Sequence, residues 1–157
     1  LVTIAGLVNI SPYSLVVLPE ITTIDDLRGG ALAVNSLSGS AAVAAGSILQ
    51  HFGLRPNEEV AILAVGDQGE RLAAMKAGAV QATLASPPQT LEAKEMGFKI
   101  LLDTAELGLP HQHTAINSTR RFLSEHRPEA VAFMKAMIVA LASFDQDEAG
   151  VKETLEK

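Results

Sequence analysis

The chain has 157 residues, of which 48% are hydrophobic and 19% are charged, and its net charge is -6. A hydrophobic content of this size with so little charge is typical of a globular protein and excludes an intrinsically disordered chain. The acidic balance, with no basic stripe, predicts neither nucleic acid nor an anionic membrane as a partner. The chain has no cysteine, which excludes disulfide bonds and thiol catalysis.

The first 36 residues hold an apolar strand at residues 1–4, a crossover interrupted by Pro12, and then the start of an α/β lobe. Because complete domains rarely begin on an apolar strand, we expect the chain to start inside a domain. It would then hold one whole lobe and part of another. Residues 1–8 are too short and lack the basic region of a signal peptide, so an export signal of the parent protein would lie upstream.

Apolar runs alternate with helical patterns from residue 31 onward. The predicted strands are residues 31–35, 60–65, 80–85 and 99–102. The predicted helices are residues 41–52, 69–77 and 87–96, each followed by a glycine that signals the end of a helix. Such alternation indicates βαβ units with right-handed crossovers. The predicted fold class is therefore α/β, with a parallel-rich sheet and helices on both faces.

The pattern beyond residue 108 is mainly helical. A short extended segment at residues 113–116 precedes predicted helices at 118–125 and 128–144 and a weaker one at 148–156. Residues 136–142 are apolar nearly all round, which favours burial of that helix on two sides but is too short to cross a bilayer. The sequence thus adds a helical C-terminal segment to the α/β lobe.

Four groups of residues, taken in order and spacing, resemble a known family. They are IDDLRG at 24–29 before an apolar strand and a Ser/Gly turn, ERLAAMKAGAV at 70–80, SPP at 86–88, and TRRFL at 119–123 with RPE at 127–129. The chain resembles the solute-binding proteins of ABC-type importers. Within them it is most similar to the group that handles sulfonates, nitrate, taurine and pyrimidine precursors of thiamine, and the resemblance covers nearly all residues.

The resemblance implies two α/β lobes joined by two crossovers, with a ligand held between the lobes. On that template residues 27–108 form the complete second lobe of a type II periplasmic binding protein. Residues 1–26 and 109–157 would be the crossovers and a remnant of the first lobe, whose opening half is absent. The implied parent is a periplasmic or cell-envelope protein that meets a membrane permease. This chain would then bind a small polar or anionic solute with half a site and without a cofactor.

Polar side chains follow three of the predicted strands at their carboxyl ends, where open α/β sheets bind ligands. These side chains are Ser36, Ser38, Ser40, Asp67, Gln68 and Ser86. Ser38 or Ser40 could serve only as the N-cap of the next helix, or could contact a ligand beside the free N–H groups of that helix. The resemblance places the Ser86 turn at the cleft. It also places Asn9 and Tyr13 on the first crossover, where Tyr13 either faces the ligand or packs on the surface.

The pair His111 and His113 places two imidazoles on one face if the segment is extended. Two histidines without an acidic residue at diagnostic spacing make a weak metal site. We therefore predict no metal here and favour a solvated loop.

An enzyme remains the alternative hypothesis, as a serine-dependent carboxylic ester hydrolase that would take a short ester. Acyl transfer needs a serine, a histidine base, a carboxylate and oxyanion donors. The candidates are Ser38, Ser40, Ser86, His111, His113, Asp67 and Asp103. The chain lacks the G-x-S-x-G sequence typical of such enzymes. A purely structural fragment is the third hypothesis.

The apolar residues 1–8 and 136–144 predict self-association. Unpaired strand edges recruit other chains, and a two-fold homodimer is the commonest arrangement. Exchange of the terminal strand or helices between two copies is compatible with this expectation.

Overall fold

The computed structural model describes residues 1–87, 89–146 and 150. Pro88 of the predicted turn, and the predicted helix at 148–156 apart from Gly150, lie outside the described residues. The described strands, β1 to β7, are Val2–Val8, Ser14–Val17, Ala31–Val34, Ala61–Ala64, Ala82–Ala85, Lys99–Asp103 and Thr114–Ser118. The described α-helices, α1 to α5, are Ser40–His51, Gln68–Lys76, Gln89–Glu95, Arg120–Glu125 and Arg127–Gln146. Two short 3₁₀ helices cover Ile24–Leu27 and Thr104–Leu107.

Five strands form one sheet in the order β4-β3-β5-β2-β6. Strand β3 is parallel to both β4 and β5, with Ala31 opposite Ala61 and Leu32 opposite Ala82. Strand β2 is antiparallel to both of its neighbours, β5 and β6. Four strands therefore point one way and only β2 is reversed. This confirms the predicted parallel-rich α/β fold and adds a strand inside the segment predicted as a crossover.

Alternation along the buried strands divides the core between the two faces of this sheet. Leu15 and Val17 of β2 pack in a cluster with residues of α1, whereas Val16 packs in a second cluster with Leu72 and Met75 of α2. Successive side chains of a strand point to opposite faces, so an apolar run without alternation is buried on both. This explains why the predicted strands are continuous apolar runs, and it confirms helices on both faces.

The chain divides into two compact units. The sheet unit is Gly6–Ala115, and the helical unit combines Leu1–Ala5 with the chain from Ile116 onward. The sheet unit begins before residue 27, because β2 lies between β5 and β6 in the sheet. Strands β1 and β7 pair in a separate two-stranded sheet, and the boundary between the units falls within each of them.

Helix α5 exposes much of its apolar surface, contrary to the expectation that it is buried on two sides. Ile138 is 63% exposed and Val139 is 69% exposed, and Phe133 and Phe144 are also exposed. Among the described residues, no helix combines the length and apolar character that crossing a membrane requires.

Candidate functional site

A cavity of about 290 Å³ opens in the sheet unit where three strands end. Asn35 follows β3, Asp67 follows β4 after a short turn, and Ser86 follows β5. The complete lining is Tyr13, Asn35, Ala41, Asp67, Gln68, Arg71, Leu84, Ser86 and Gln89. The cavity lies at the carboxyl ends of parallel strands, which is the usual position of ligand sites in open α/β sheets.

Arg71 is the one cation in this lining, and its residue is only 8% exposed. Its guanidinium donates to Thr83 Oγ1 at 3.0 Å, to the Gly66 carbonyl at 2.8 Å, and to Gln68 Oε1. Within the described part of the chain it forms no ion pair. A guanidinium has five N–H donors, so the bonds to these three acceptors leave donors available for a ligand.

The charge of Arg71 persists despite its burial. Burial lowers the pKa of Arg71, and the Asp67 carboxylate acts in the opposite direction. Arginine does not lose its proton in proteins, because its ordinary pKa is above 12. A buried cation without a paired carboxylate is unfavourable unless something else compensates it. The cavity therefore presents a buried guanidinium that no carboxylate of the described residues pairs directly, although the Asp67 carboxylate in the same lining offsets part of its charge.

Gln68 adds a second donor to the same wall. The side-chain carbonyl oxygen of Gln68 accepts from Arg71. The amide nitrogen on the other side of that carboxamide group therefore points away from Arg71. That nitrogen is buried and has no hydrogen-bond partner among the described residues. Unsatisfied buried donors are rare and need an explanation. A ligand in the cavity with a hydrogen-bond acceptor would satisfy this Gln68 donor.

Asp67 lies at the edge of the cavity and caps helix α2. Its carboxylate accepts from the Glu70 amide at 3.0 Å, while Glu70 accepts from the Asp67 amide at 2.9 Å, a capping box. Gly66, just before it, has a φ of 103°, a backbone conformation that residues other than glycine rarely adopt. The turn Gly66–Asp67 thus directs the start of α2 and its Arg71 toward the cavity.

The predicted serines fall into three different places. Ser86 lines the cavity and donates to Gln89 Oε1 at 3.3 Å. Ser40 shares a hydrogen bond of 2.9 Å with the Tyr13 hydroxyl, so it touches a lining residue without lining the cavity. Ser36 and Ser38 bond to each other at 3.1 Å and are not part of the lining.

The N-cap of α1 is Gly39, without a side-chain hydrogen bond. The interpretation of Ser38 or Ser40 as a capping residue is therefore wrong: Ser40 already belongs to the helix, and the Ser38 side chain bonds to Ser36 instead. In the first turn of α1 the Ala42 and Val43 amides donate to the Gly39 carbonyl at 3.1 and 3.3 Å, and Ala41 of the same turn lines the cavity.

Among the predicted site residues, the lining therefore unites Tyr13, Asp67, Gln68 and Ser86, and it does not include Asn9. Sequence reasoning missed Arg71, Asn35 and Gln89. A signal for Arg71 was present, because it stands beside Leu72 and four residues before Met75, both of which face the core. A charged residue on the buried face of a helix is uncommon and indicates a site.

His111 and His113 are half-buried, not solvated as expected. Their rings stack with centroids 5.9 Å apart, and the His113 ring meets the Tyr13 ring edge-on at 5.5 Å. Among the described residues, no group of three or more His, Cys, Asp or Glu side chains is placed to hold a metal ion.

The arrangement required for an ester hydrolase is not assembled in the described chain. No hydrogen bond there joins Ser38, Ser40 or Ser86 to a histidine: Ser40 is bonded to Tyr13, and Ser86 to Gln89. Asp103 accepts from the Ala105 amide as a cap of the second 3₁₀ helix. The ester hydrolase hypothesis has no support.

The sequence model of the NMT1-like family matches residues 22–156. The chain belongs to the NMT1-like family. No curated protein matches this NMT1-like chain.

Solved structures share the fold of this NMT1-like chain. The alkanesulfonate-binding protein SsuA of Xanthomonas axonopodis pv. citri, bound to MOPS, matches with a TM-score of 0.74 and 23% identity over 96% of this chain and 53% of its own. The periplasmic aliphatic sulphonate-binding protein SsuA of Escherichia coli matches with a TM-score of 0.68 and 19% identity over 91% of this chain and 44% of its own.

A sulfonate-binding SsuA of Methylobacillus flagellatus KT, described as putative, gives a TM-score of 0.71 and 23% identity over 90% of this chain and 42% of its own. The NMT1-like chain thus spans about half the length of the solute-binding proteins that it matches. At these identities the matches establish the fold, that of periplasmic binding proteins.

Proposed function

We propose that this chain contributes part of a solute-binding protein of an ABC-type importer and holds a small anionic solute in the cavity of the sheet unit. The observation that carries the proposal is Arg71, a buried guanidinium in the cavity wall without an ion pair among the described residues. An anion is the ligand that offsets such a charge, and arginine fits the oxygens of sulfonates, carboxylates and phosphates.

The remaining lining supports an anion with several acceptor oxygens. Gln68 has an unpartnered buried N–H, and the Tyr13 hydroxyl has hydrogen-bonding capacity beyond its bond to Ser40. The first turn of α1, at Ala41, adds N–H groups at the positive end of the helix dipole. The fold shared with two sulfonate-binding proteins favours a small sulfonate within this class.

We also propose the cellular setting of the parent protein: a periplasmic or cell-envelope binding protein that delivers its solute to a membrane permease. The support is membership of the NMT1-like family and the fold shared with periplasmic binding proteins. Residues 27–108 and the elements that complete their sheet would be one ligand-binding lobe. The second lobe would supply the contacts that enclose the solute.

The test is calorimetric titration of the chain with ethanesulfonate, taurine, MOPS and nitrate. We expect weak binding of at least one anion, with a Kd on the order of 1 mM because only one wall of the site is present. Arg71→Gln should weaken that binding roughly tenfold or more, since a hydrogen bond to a charged group contributes about 1.5–3 kcal/mol. Lys76→Gln removes the same charge from the exposed end of the same helix and should bind as the wild type does.

Two results would contradict the proposal. One is the absence of any anion binding by folded wild-type chain at concentrations of about 10 mM, far above the expected Kd. The other is binding that Arg71→Gln and Lys76→Gln weaken equally, because that would reflect net charge alone.

We propose, finally, that the chain self-associates as a homodimer. The support is the exposed apolar surface of α5, including Phe133, Ile138 and Val139, because large apolar patches on soluble proteins mark interaction surfaces.

A further inference from the structure

Tyr13 connects the anion cavity with the two neighbouring histidines. Its side chain lines the cavity, and its hydroxyl shares a hydrogen bond of 2.9 Å with Ser40 at the start of α1. Its ring meets the His113 ring edge-on, with centroids 5.5 Å apart and planes at 89°. The position of one cavity wall therefore depends on the ring of His113.

His111 completes a row of three rings. Its imidazole stacks on that of His113 at 5.9 Å, with planes 28° apart. Two ring nitrogens in this row, Nε2 of His111 and Nδ1 of His113, are buried and have no hydrogen-bond partner among the described residues. The backbone of the segment is fixed nearby, because the His113 amide donates to the Val8 carbonyl at 2.9 Å.

These unpartnered nitrogens distinguish between the two charge states of histidine. A neutral imidazole has one nitrogen without a proton, which can remain unpaired at modest cost. An imidazolium carries a proton on both nitrogens, so both need acceptors. A buried charged donor without an acceptor is strongly unfavourable, and two stacked imidazolium rings would also repel each other. This row of rings is therefore suited to the neutral state.

Among the described residues that line the small cavity beside His111, none carries a negative charge. The small cavity beside it is lined by Ala44, Ser47 and Ile48 from α1, and by Ser11, Thr104, Leu109 and Pro110 from the segments around them. The Thr104 hydroxyl is already bonded to Ser11 and to the Tyr13 carbonyl. The titratable groups His113 and Tyr13 belong to the row of rings itself. The charged Arg71 lines the anion cavity together with Tyr13.

We propose that the His111–His113 pair is a pH-sensitive support for Tyr13, which holds the tyrosine ring at the anion cavity while His111 is neutral and releases it when His111 takes up a proton. Burial, and then the neighbouring His113, lower the pKa of His111 below its ordinary value. A group with a lowered pKa stabilises this arrangement above its ordinary pKa. That stabilisation is lost as the pH falls through the lowered value.

The consequence for solute binding rests on the function proposed above, whereas the effect on Tyr13 does not. Release of Tyr13 removes one wall of the cavity, so solute affinity should fall in mildly acidic solution. The same contact would make affinity depend on two residues that do not line the cavity.

The chain contains its own probe for this inference. Tyr13 is the only tyrosine and there is no tryptophan, so tyrosine fluorescence and the near-ultraviolet circular dichroism of tyrosine report on this one ring. We would titrate the full chain without solute from about pH 8 to about pH 5, the range in which histidines take up protons. Far-ultraviolet circular dichroism, recorded in parallel, establishes that the fold persists.

The wild type should show one transition of the tyrosine signal, with its midpoint below the ordinary pKa of histidine. Both His113→Gln and the double variant with His111→Gln should lose that transition, because His113→Gln removes the ring that connects Tyr13 with His111 and His111→Gln removes the group that takes up the proton. His51→Gln is the matched control, since His51 is exposed on α1 in the same unit, and it should keep the transition.

A flat tyrosine signal in folded wild type, or an unchanged transition in the double variant, would overturn the proposal. If the variants do not fold, NMR titration of the wild-type imidazole protons decides instead. His111 should then take up its proton below the ordinary pKa of histidine, and protonation at or above that value would refute the inference. All of these measurements omit solute, so their outcome is separate from that of the anion titration.

Discussion

At the scale of single residues, the cavity wall depends on a short polar network inside an apolar sheet. Thr83 of β5 is fully buried, accepts from Arg71 at 3.0 Å and donates to the Ala33 carbonyl at 3.0 Å. Through this hydroxyl the central sheet fixes the direction of the guanidinium. A buried network of this kind is stabilising only while every member has its partners.

Replacing Thr83 with valine should therefore destabilise the chain, although valine has the same shape. The change leaves the Arg71 Nε–H and the Ala33 carbonyl without their partner, at a cost of about 1–3 kcal/mol. Urea unfolding followed by circular dichroism measures the loss. Thr114→Val on exposed strand β7 is the matched control and should be within about 0.5 kcal/mol of the wild type. A Thr83→Val protein as stable as its parent would show that the hydroxyl does not hold Arg71.

Asp26 gives a residue-scale prediction of pH dependence. Hydrogen bonds from the Thr22 and Thr23 amides, and from the Thr22 hydroxyl, lower its pKa from 3.8 to about 2. Because the folded pKa is lowered, this stabilisation is present above about pH 4 and is lost as the pH falls toward 2. The thermal midpoint of the wild type should therefore drop more between about pH 5 and about pH 3 than that of Asp26→Asn. Glu20→Gln, an exposed neighbour, should follow the wild type; equal drops in all three proteins would contradict the assignment.

At the scale of elements, β2 contributes more to the sheet than its sequence suggests. All four of its residues are buried, and among the five described strands of the sheet it runs opposite to the other four. Its side chains supply core to both faces, with Leu15 and Val17 on the side of α1 and Val16 on the side of α2.

Val16→Ala should consequently cost on the order of 2 kcal/mol, because it leaves a cavity between the sheet and α2. The matched control is Val43→Ala on α1, where the side chain is 60% exposed, and it should change stability by less than about 0.5 kcal/mol. The two free energies of unfolding come from the same denaturant series. Equal losses of stability in the two variants would show that Val16 of β2 does not lie in the core as described.

The sequence predicted the strands β3 to β6 because each is a continuous apolar run, and the helices α1 to α3 because each is a helical pattern followed by a glycine. It did not predict β2, because residues 14–17 follow a proline and are too short for periodicity to separate a strand from a crossover. At the site, chain order was enough to bring Asp67, Gln68 and Ser86 together, since each follows a parallel strand. Arg71 was missed although its place on the apolar face of α2 indicated a site. The row formed by Tyr13 and the two histidines was not predictable, because it depends on side-chain packing between distant segments.

At the scale of the whole molecule, the two compact units differ in how completely each buries its apolar side chains. The sheet unit has apolar clusters on both faces of its sheet. In the helical unit, a groove lined by Ile4, Leu123, Val131, Met134 and Ile138 remains open. Apolar side chains of α5 are exposed on other sides as well, including Val139 and Phe144.

The homodimer proposal is tested at this scale by light scattering after size-exclusion chromatography at micromolar concentration. We expect the mass of a dimer for the wild type, because burial of this apolar surface stabilises association. Ile138→Asp should shift the protein to the monomer by placing a charge in the contact. Glu129→Gln, on the exposed first turn of α5, should remain a dimer. A wild-type monomer under these conditions would refute the proposal.

The position of the reversed strand β2 also determines when the sheet can assemble during synthesis of the chain. β2 leaves the ribosome well before its neighbours β5 and β6 are synthesised, and the bond between Ser11 and Thr104 spans 93 residues. At about 5–20 residues per second, the apolar β2 waits for several seconds without its partner strands. During that time the nascent chain carries a bare, aggregation-prone segment, and chaperones that bind extended apolar peptides have their best opportunity to engage it. The sheet can be completed only after the last of its strands has emerged.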